Sequence, residues 1–491
     1  MTIPTLPFGN LVIIDRTSAT PLFRQLANAL VTLIRNGKLK PGHQVPSSRD
    51  MAALIGLNRT TVVAAYDELR AQGWLEVIGK KGMFVSRHLP VLDPKAFRSD
   101  DPLSPIASVQ PDFYRQINFD RPPARDLKPF HLLINDGYPD ARLAPLNSLF
   151  NRYKTLLNKP DLHGPLQTSG PAGSMSLRCE LAQFLSRTRA LDIESEHVMV
   201  THGAQLAIYI AASLVLKPGS KVIVAHMNYV LADKLFEQLG ATLVKVNVDE
   251  NGIDVDAIDE ICRRSRPDLL YIIPHHHHPT TVTLSPERRM KLLDIIRRYQ
   301  LPVIEDDYDY DFHYDNSPIL PLASADHNGY VLYVGSISKT LAPTIRLGYL
   351  VGSADFIRQA SRLKLMMEIR GDVLFEESVA NLFTTGELQR HLRRSVRSYR
   401  QRRDLFCGLL KASLGDLIQF TTPSGGMAVW MVFDQDYSIS GLSKRLYNKG
   451  IFMNDGSMYR YSETVNGIRV GFASLDDEEI EKFTQILTLV R

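Results

Sequence analysis

Cysteine is nearly absent from this sequence. The three present, Cys179, Cys262 and Cys407, are odd in number, far apart and at no spacing that metals use. Neither a disulfide framework nor a thiolate metal centre is expected, and a reducing cytoplasm fits that scarcity. Long apolar runs are missing too. No stretch approaches the roughly eighteen residues of a membrane-crossing helix, and the opening MTIPTLPFGN lacks the basic and apolar regions of a secretion signal, so no membrane partner is expected. Compositional bias is also lacking. Hydrophobic residues make up 44% and charged residues 22%, ordinary values that exclude a fibrous or wholly disordered chain. A length of 491 residues exceeds one ordinary core and predicts two or three domains.

Charge, by contrast, is unevenly spread. Met1 to His88 holds eleven Lys and Arg against five Asp and Glu, a formal +6 within a chain total of +4. The remainder is therefore slightly acidic. A basic first segment points to an anionic partner.

That segment has the pattern of a winged helix. PLFRQLANALVTLIRNG sets Leu22, Phe23, Leu26, Leu30, Leu33 and Ile34 at helical spacing, with Pro21 at the start and Gly37 at the stop. Ser47 and Asp50 form a capping box over a short helix. Gly56 makes a tight turn, and Asn58 caps the next helix, which ends at Gly73. Two helices joined this way make a helix-turn-helix. WLEVI, GKKG and MFVSR then read as a two-stranded ribbon with a basic tip. Arg59, Thr60 and Thr61 sit at the end of the helix that would enter a DNA major groove. Arg49 precedes them, and Lys80 and Lys81 on the wing tip suit the phosphate backbone. These residues predict DNA binding over 11–88.

From 89 to 126 the periodicity fails. The stretch is rich in Pro, Asp and Ser and reads as a linker. Residues 127–491 read as one larger domain with a C-terminal subdomain from about 356. Between about Glu196 and Gly352 strands and helices alternate, which predicts an α/β layout around a mainly parallel sheet. Ligands bind such sheets beyond the C-terminal strand ends, and several chemically suggestive residues fall there.

Lys339, in VGSISKTLAPTIRLGYLVG, follows one strand. A lone lysine at such a place is ordinarily a solvated cation. This one is preceded by Ser336 and Ser338 and followed seven positions later by Arg346, groups suited to a phosphate dianion. Pyridoxal phosphate needs such a lysine amine to hold its aldehyde. Asp306, ending the strand PVIEDDY, can pair with a pyridine nitrogen, and Tyr308 can bond the ring's phenolic oxygen. Gly203, Ala204 and Gln205 follow a strand and open a helix, where backbone N–H groups bind phosphate. Tyr229 stands at another strand end and can stack on the ring. The acidic run EDDYDYDFHYD lacks the glycine and terminal glutamate of a calcium loop.

Together these motifs resemble the fold-type I aminotransferases. With PLFRQL, PSSRDMA, NRTTV and AYDELRAQGWL in front, the chain resembles the MocR subfamily of GntR transcription regulators. GELQRHLRRSVRSYRQRRD and GIRVGFA match that subfamily as well. The resemblance implies that Lys339 is the Schiff-base lysine, with Asp306, Tyr308, Tyr229, Ser336, Ser338 and Arg346 in the cofactor roles just given. It also implies that Arg469 binds a substrate carboxylate.

There are departures. A run of four histidines, His275 to His278, stands where aminotransferases carry Asn-Pro-Thr-Gly, and His278 takes the position of the asparagine that supports the phenolic oxygen. Read as extended, the run points its side chains to alternate sides, so no metal site is expected. Thr168 replaces a tyrosine that reaches the partner subunit's phosphate. Leu231 stands where a second arginine could receive a distal carboxylate. Arg390, Arg393, Arg394, Arg397 and Arg400 fall largely on one helix face, read as solvated or subunit-facing. The expectation is a cytoplasmic, homodimeric regulator that binds operator DNA and senses an amine, an amino acid or pyridoxal phosphate itself. The alternative is an aminotransferase with a fused DNA-binding head.

Overall fold

The computed structural model describes residues 7–89, 131–158, 169–315, 319–459 and 465–491, apart from the side chain of Lys80. Two compact units divide the chain, Met1–Gln116 and Ile117–Arg491. The segment read as a linker lies outside the described residues except for Leu89, and so does Thr168.

In the first unit, α1 (Leu22–Arg35), α2 (Ser48–Ile55) and α3 (Arg59–Ala71) precede an antiparallel ribbon of β1 (Leu75–Val77) and β2 (Met83–Val85). Leu26, Leu30, Leu33 and Ile34 of α1 share a core with Met51, Val62, Tyr66 and Leu69. The element boundaries have local causes. The Ser47 hydroxyl accepts from the Asp50 N–H at 3.2 Å and donates to the Asp50 carboxylate at 2.6 Å, which fixes the start of α2. Gly56 takes φ of +64°, a conformation that penalises residues with a Cβ, and so turns the chain toward α3. There the Asn58 side chain accepts from the Thr60 N–H at 3.2 Å. Caps of this kind are worth about 1 kcal/mol each. Phe8 also lies in this core, so packing starts ahead of the boundary read at residue 11.

The second unit is built on a seven-stranded sheet. Its strands are β3 (Val198–Thr201), β4 (Lys221–Ala225), β5 (Thr242–Val246), β6 (Leu269–Ile272), β7 (Val303–Asp307), β8 (Val331–Ser336) and β9 (Gly348–Val351). They lie side by side in the order β3, β9, β8, β7, β6, β4, β5. The other six strands are mutually parallel, and β9 alone runs the opposite way. Strands such as VMVT and VIEDD are buried along their whole length, as expected of a sheet covered on both faces. Helix α4 (Ala204–Val215) follows β3 directly.

A second core surrounds a three-stranded antiparallel sheet of Ile418–Gln419, Ala428–Phe433 and Asn466–Gly471. The early strand Leu132–Ile134 joins it by pairing with Ile451–Met453. The subdomain boundary read near residue 356 falls inside helix α5 (Ala354–Met367), whose Ile357 and Ala360 belong to the large sheet's core. The change of core comes later, along the helix α6 (Glu387–Leu414). Leu388 packs with the first core, Tyr399 and Phe406 with the second, and Leu392 touches both. A continuous helix hides that change from any reading based on periodicity.

Candidate functional site

The C-terminal ends of β6, β7 and β8 bring most of the singled-out residues of the body together. Asp306 and Asp307 end β7, and successive strand residues face opposite ways. Asp306 accepts a 2.7 Å hydrogen bond from the Tyr271 hydroxyl through one carboxylate oxygen. Its other oxygen is buried without a partner among the described residues. Asp307 turns to the far side, where it accepts from the Tyr333 hydroxyl at 2.9 Å and lies 3.3 Å from His275.

Tyr308 links the two walls of the pocket. Its hydroxyl donates to the His276 carbonyl at 2.9 Å and accepts from Arg469 Nη2 at 3.0 Å. Arg469 is buried on the strand Asn466–Gly471 and also donates to the carbonyls of Asp136 at 2.8 Å and Pro279 at 3.1 Å. Lys339 stands in the helical turn Ile337–Thr340 that follows β8. Its ammonium donates to the Gly137 carbonyl at 2.7 Å and lies 4.7 Å from the Tyr138 ring and 5.8 Å from that of Tyr308. Tyr229 packs edge-on against His278, with ring centres 5.4 Å apart.

Around the start of α4 the structure forms a cradle. Gly203 has φ of +84°, and a Cβ added to it would stand 2.8 Å from Arg346 Nη2. The Arg346 guanidinium is exposed and has no hydrogen bond or ion pair among the described residues. The main chain of Ala204 and Gln205 opens the helix, while the Gln205 side chain donates to the Leu231 carbonyl at 3.3 Å. The two serines divide. Ser336 accepts from the Lys339 N–H at 3.3 Å, and its own proton has no acceptor among the described residues. Ser338 commits its proton to the Ile345 and Leu347 carbonyls, so of the two only Ser336 has a donor left for a phosphate.

Burial sets the charges here. It pushes the Asp306 carboxyl up to about 7, with Asp307 and Asp309 adding to the effect against the Tyr271 hydrogen bond. Burial also lowers the Lys339 ammonium, which the Asp136 carboxylate opposes. His278 falls well below the usual imidazole range through burial and the nearby Arg469 charge, so its ring is neutral, and its buried Nδ1 has no partner among the described residues.

The histidine run is not extended. His275 to Thr280 form a bend and a turn, with His276 at φ of +45°. The backbone bends here, so strand alternation does not set the ring directions: His275 and His276 both pack against His313, with ring centres 5.9 and 5.0 Å away, while His278 packs against Tyr229. His276 Nδ1 meets Asp309 at 2.8 Å, His277 Nδ1 meets the Thr280 hydroxyl at 2.8 Å, and His275 Nε2 meets the Ile319 carbonyl at 2.7 Å.

Within the head, Arg49, Arg59 and Thr60 are exposed and Thr61 is half-buried. Arg59 Nε lies 3.5 Å from the Ser48 hydroxyl. Lys80 and Lys81 form the tight turn between β1 and β2, and the side chain of Lys80 lies outside the described residues. Arg390, Arg393, Arg394, Arg397 and Arg400 lie along α6, and Arg400 is 3.5 Å from Asp315.

Sequence reasoning missed Tyr271 and the turn Asn135–Tyr138. Tyr271 could have been found as the aromatic residue near the end of an apolar strand beside Asp306. The turn carries no motif, and its place beside Lys339 is fixed by tertiary packing alone.

This arrangement offers an amine, a carboxyl with a buried oxygen that has no partner among the described residues, a cradle with an exposed guanidinium, and another arginine, Arg469, that is buried. Those groups fit pyridoxal phosphate. Residues 149–487 match the family profile described as aminotransferase class I and II, and residues 22–85 match that of bacterial regulatory proteins, gntR family. The chain is 29% identical to the uncharacterized HTH-type transcriptional regulator YdfD of Bacillus subtilis, over 94% of each chain. It is 26% identical to the probable rhizopine catabolism regulatory protein MocR of Rhizobium meliloti, over 96% of this chain and 94% of that one. Among solved structures, LysN, the α-aminoadipate aminotransferase of Thermus thermophilus complexed with N-(5'-phosphopyridoxyl)-L-leucine, is similar with a TM-score of 0.68 and 26% identity. That match covers 74% of this chain and 92% of that one. The fold and these relatives imply pyridoxal phosphate as the cofactor. Among the described residues no helix is long and apolar enough to cross a membrane.

Proposed function

The chain belongs to the aminotransferase class I and II family and pairs that body with a GntR-type helix-turn-helix head, the layout of MocR-type transcription regulators; on that premise we propose that its body reads a small amine or amino acid through pyridoxal phosphate and thereby controls how the head binds operator DNA. The observation that carries this reading is the combination, in one chain, of a basic wing with a pocket whose Asp306 and Arg346 have atoms left over for a ligand. An aminotransferase has no use for a wing.

When bound, the cofactor supplies an aldehyde that condenses with amines and a ring that draws electrons. Lys339 is the amine that holds it. Asp306 keeps a proton on the ring nitrogen through its free oxygen. The neutral His278 borders the phenolic oxygen, Tyr308 can bond it only by releasing the proton it gives to the His276 carbonyl, and Tyr229 packs on the ring. The N–H groups at Gly203, Ala204 and Gln205 bind the phosphate with Ser336 and Arg346. Arg469 has five N–H donors, of which three go to protein acceptors; the other two have no acceptor among the described residues and suit an effector's carboxylate. In the head, Arg59, Thr60 and Thr61 face the major groove, with Arg49, Lys80 and Lys81 on phosphates. The functional unit is a cytoplasmic homodimer. Met366 is 78% and Ile369 71% exposed at and just beyond the end of α5, an apolar surface suited to a second copy.

The test is operator affinity of the cofactor-free and cofactor-loaded protein, with and without candidate amines. A change on adding an amine, seen only in the loaded protein, is the expected result. A change on loading alone, with none from any amine, makes the cofactor itself the effector. Sustained transamination with no effect on DNA affinity would establish the enzyme instead.

A further inference from the structure

The turn Asn135–Tyr138 passes between Lys339 and Arg469, the two cations that would meet an amino acid's amine and carboxylate. Its main chain is pinned on both sides. The Asp136 carbonyl accepts from Arg469 at 2.8 Å, and the Gly137 carbonyl accepts from Lys339 at 2.7 Å. Asn135 braces the turn, its side-chain oxygen accepting from the N–H groups of Gly137 and Tyr138 at 2.9 and 2.8 Å. These bonds fix the main chain of Asp136 between the two cations.

That side chain is half-buried, and its carboxylate makes no hydrogen bond or ion pair among the described residues. Its charge acts on Lys339 more strongly than that of Asp306 or Asp309, and it is felt by Arg469, Tyr229 and Tyr308 as well. These are the residues that line the pocket. Lys339 is the cation most strongly coupled to it, and when the cofactor takes up that amine a cation on the ligand can stand in its place. Leu231, two residues beyond Tyr229, is apolar and gives a distal carboxylate nothing to bind. A distal carboxylate would also be repelled by Asp136.

Resting on the reading of the body as an amino-acid sensor, we propose that the effector is a diamino acid, whose α-carboxylate meets Arg469 and whose side-chain ammonium meets Asp136. Chain length is left to the experiment, since Asp136 fixes the charge to be matched and not the spacer.

The full-length, cofactor-loaded protein is titrated by calorimetry with pairs that differ in one terminal group: lysine and norleucine, ornithine and norvaline, diaminobutyrate and aminobutyrate, with glutamate as the acidic member. In at least one pair the cationic member should bind at least about tenfold more tightly, the size expected of a charge-assisted hydrogen bond. Asp136→Asn should bring that ratio close to one, and Asp136→Glu should keep part of it. Ratios near one for every pair in the native protein overturn the proposal, whether or not the variants fold. So does a ratio that survives Asp136→Asn. Equal weakening of both members in that variant does the same, because it makes Asp136 a support for Lys339 only. If neutral or acidic amino acids bind as well as cationic ones, the assignment of Asp136 fails and the sensor stands. If no amino acid binds while the cofactor stays on Lys339, the sensor reading fails with it.

Discussion

The Tyr271 hydroxyl donates to one oxygen of the Asp306 carboxylate at 2.7 Å, and the other oxygen is buried with no partner among the described residues. The two residues stand on adjacent parallel strands, β6 and β7. Tyr271 thereby turns a symmetric carboxylate into one structural oxygen and one oxygen for a ligand. Tyr271→Phe should keep the fold, because the ring stays. It should also weaken pyridoxal phosphate binding by about ten- to a hundredfold, as a hydrogen bond to a charged group is worth about 1.5–3 kcal/mol. Fluorescence titration of the cofactor into both proteins measures this. An affinity within twofold of the native one would mean that Asp306 needs no orienting partner.

Asp306 also makes the cofactor-free protein sensitive to pH. Its folded pKa of about 7 lies above the ordinary carboxyl value, so the folded state binds the proton more tightly than the unfolded chain does. The sign follows from linkage. The stabilisation is complete below the unfolded value near 4 and is lost as pH rises through 7. Asp306→Asn carries no such charge. The native protein should therefore lose stability relative to this variant between about pH 4 and pH 7, by an amount on the order of 4 kcal/mol, and the gap should stop growing above that. Thermal melts of both cofactor-free proteins across that range test it. A gap that does not change with pH would mean that Asp306 titrates normally.

Borohydride treatment of the loaded protein should leave a phosphopyridoxyl adduct on Lys339, read by peptide mass. Burial lowers this ammonium, which favours the uncharged, nucleophilic form. Lys339→Ala should lose both the adduct and the visible absorption band once free cofactor is removed, and its nonspecific DNA binding should stay almost intact. An adduct found elsewhere, or none at all, removes Lys339 from the centre of the site.

The head was legible in the sequence because its signals are local. Ser47, Gly56 and Asn58 act within three residues of themselves, and their roles follow from side-chain chemistry and φ. Strand ends and Lys339 were legible because short apolar runs broken by polar residues mark where strands stop. What escaped depends on distance. Gly137 meets Lys339 across 202 residues, and Tyr271 meets Asp306 across 35; no periodicity encodes either contact. Ser338 was misjudged for a related reason: which hydroxyl keeps a free proton depends on the carbonyls of Ile345 and Leu347, which come near it only when the chain folds back.

Arg59 should carry more of the operator recognition than Lys81. It opens α3, and its side chain lies 3.5 Å from the Ser48 hydroxyl at the start of α2, so it is presented from the helix pair that would face base edges. Lys81 sits on the turn of the wing, where its main-chain carbonyl is held by Gln44 at 2.7 Å and its exposed side chain can offer charge but little geometry. A lost base contact costs about 1–3 kcal/mol and blurs one position of the site. A lost phosphate contact weakens all sequences alike and lowers the salt dependence by about one counterion. Arg59→Ala should accordingly reduce the preference for operator over scrambled DNA, using the chain's own upstream region as the first operator candidate. Lys81→Ala should leave that preference unchanged and flatten the slope of affinity against salt. Salt titrations of the two variants on both DNAs separate the roles. If Arg59→Ala binds operator as well as the native protein does, α3 is not the reading helix, and the head is better regarded as a surface for another protein.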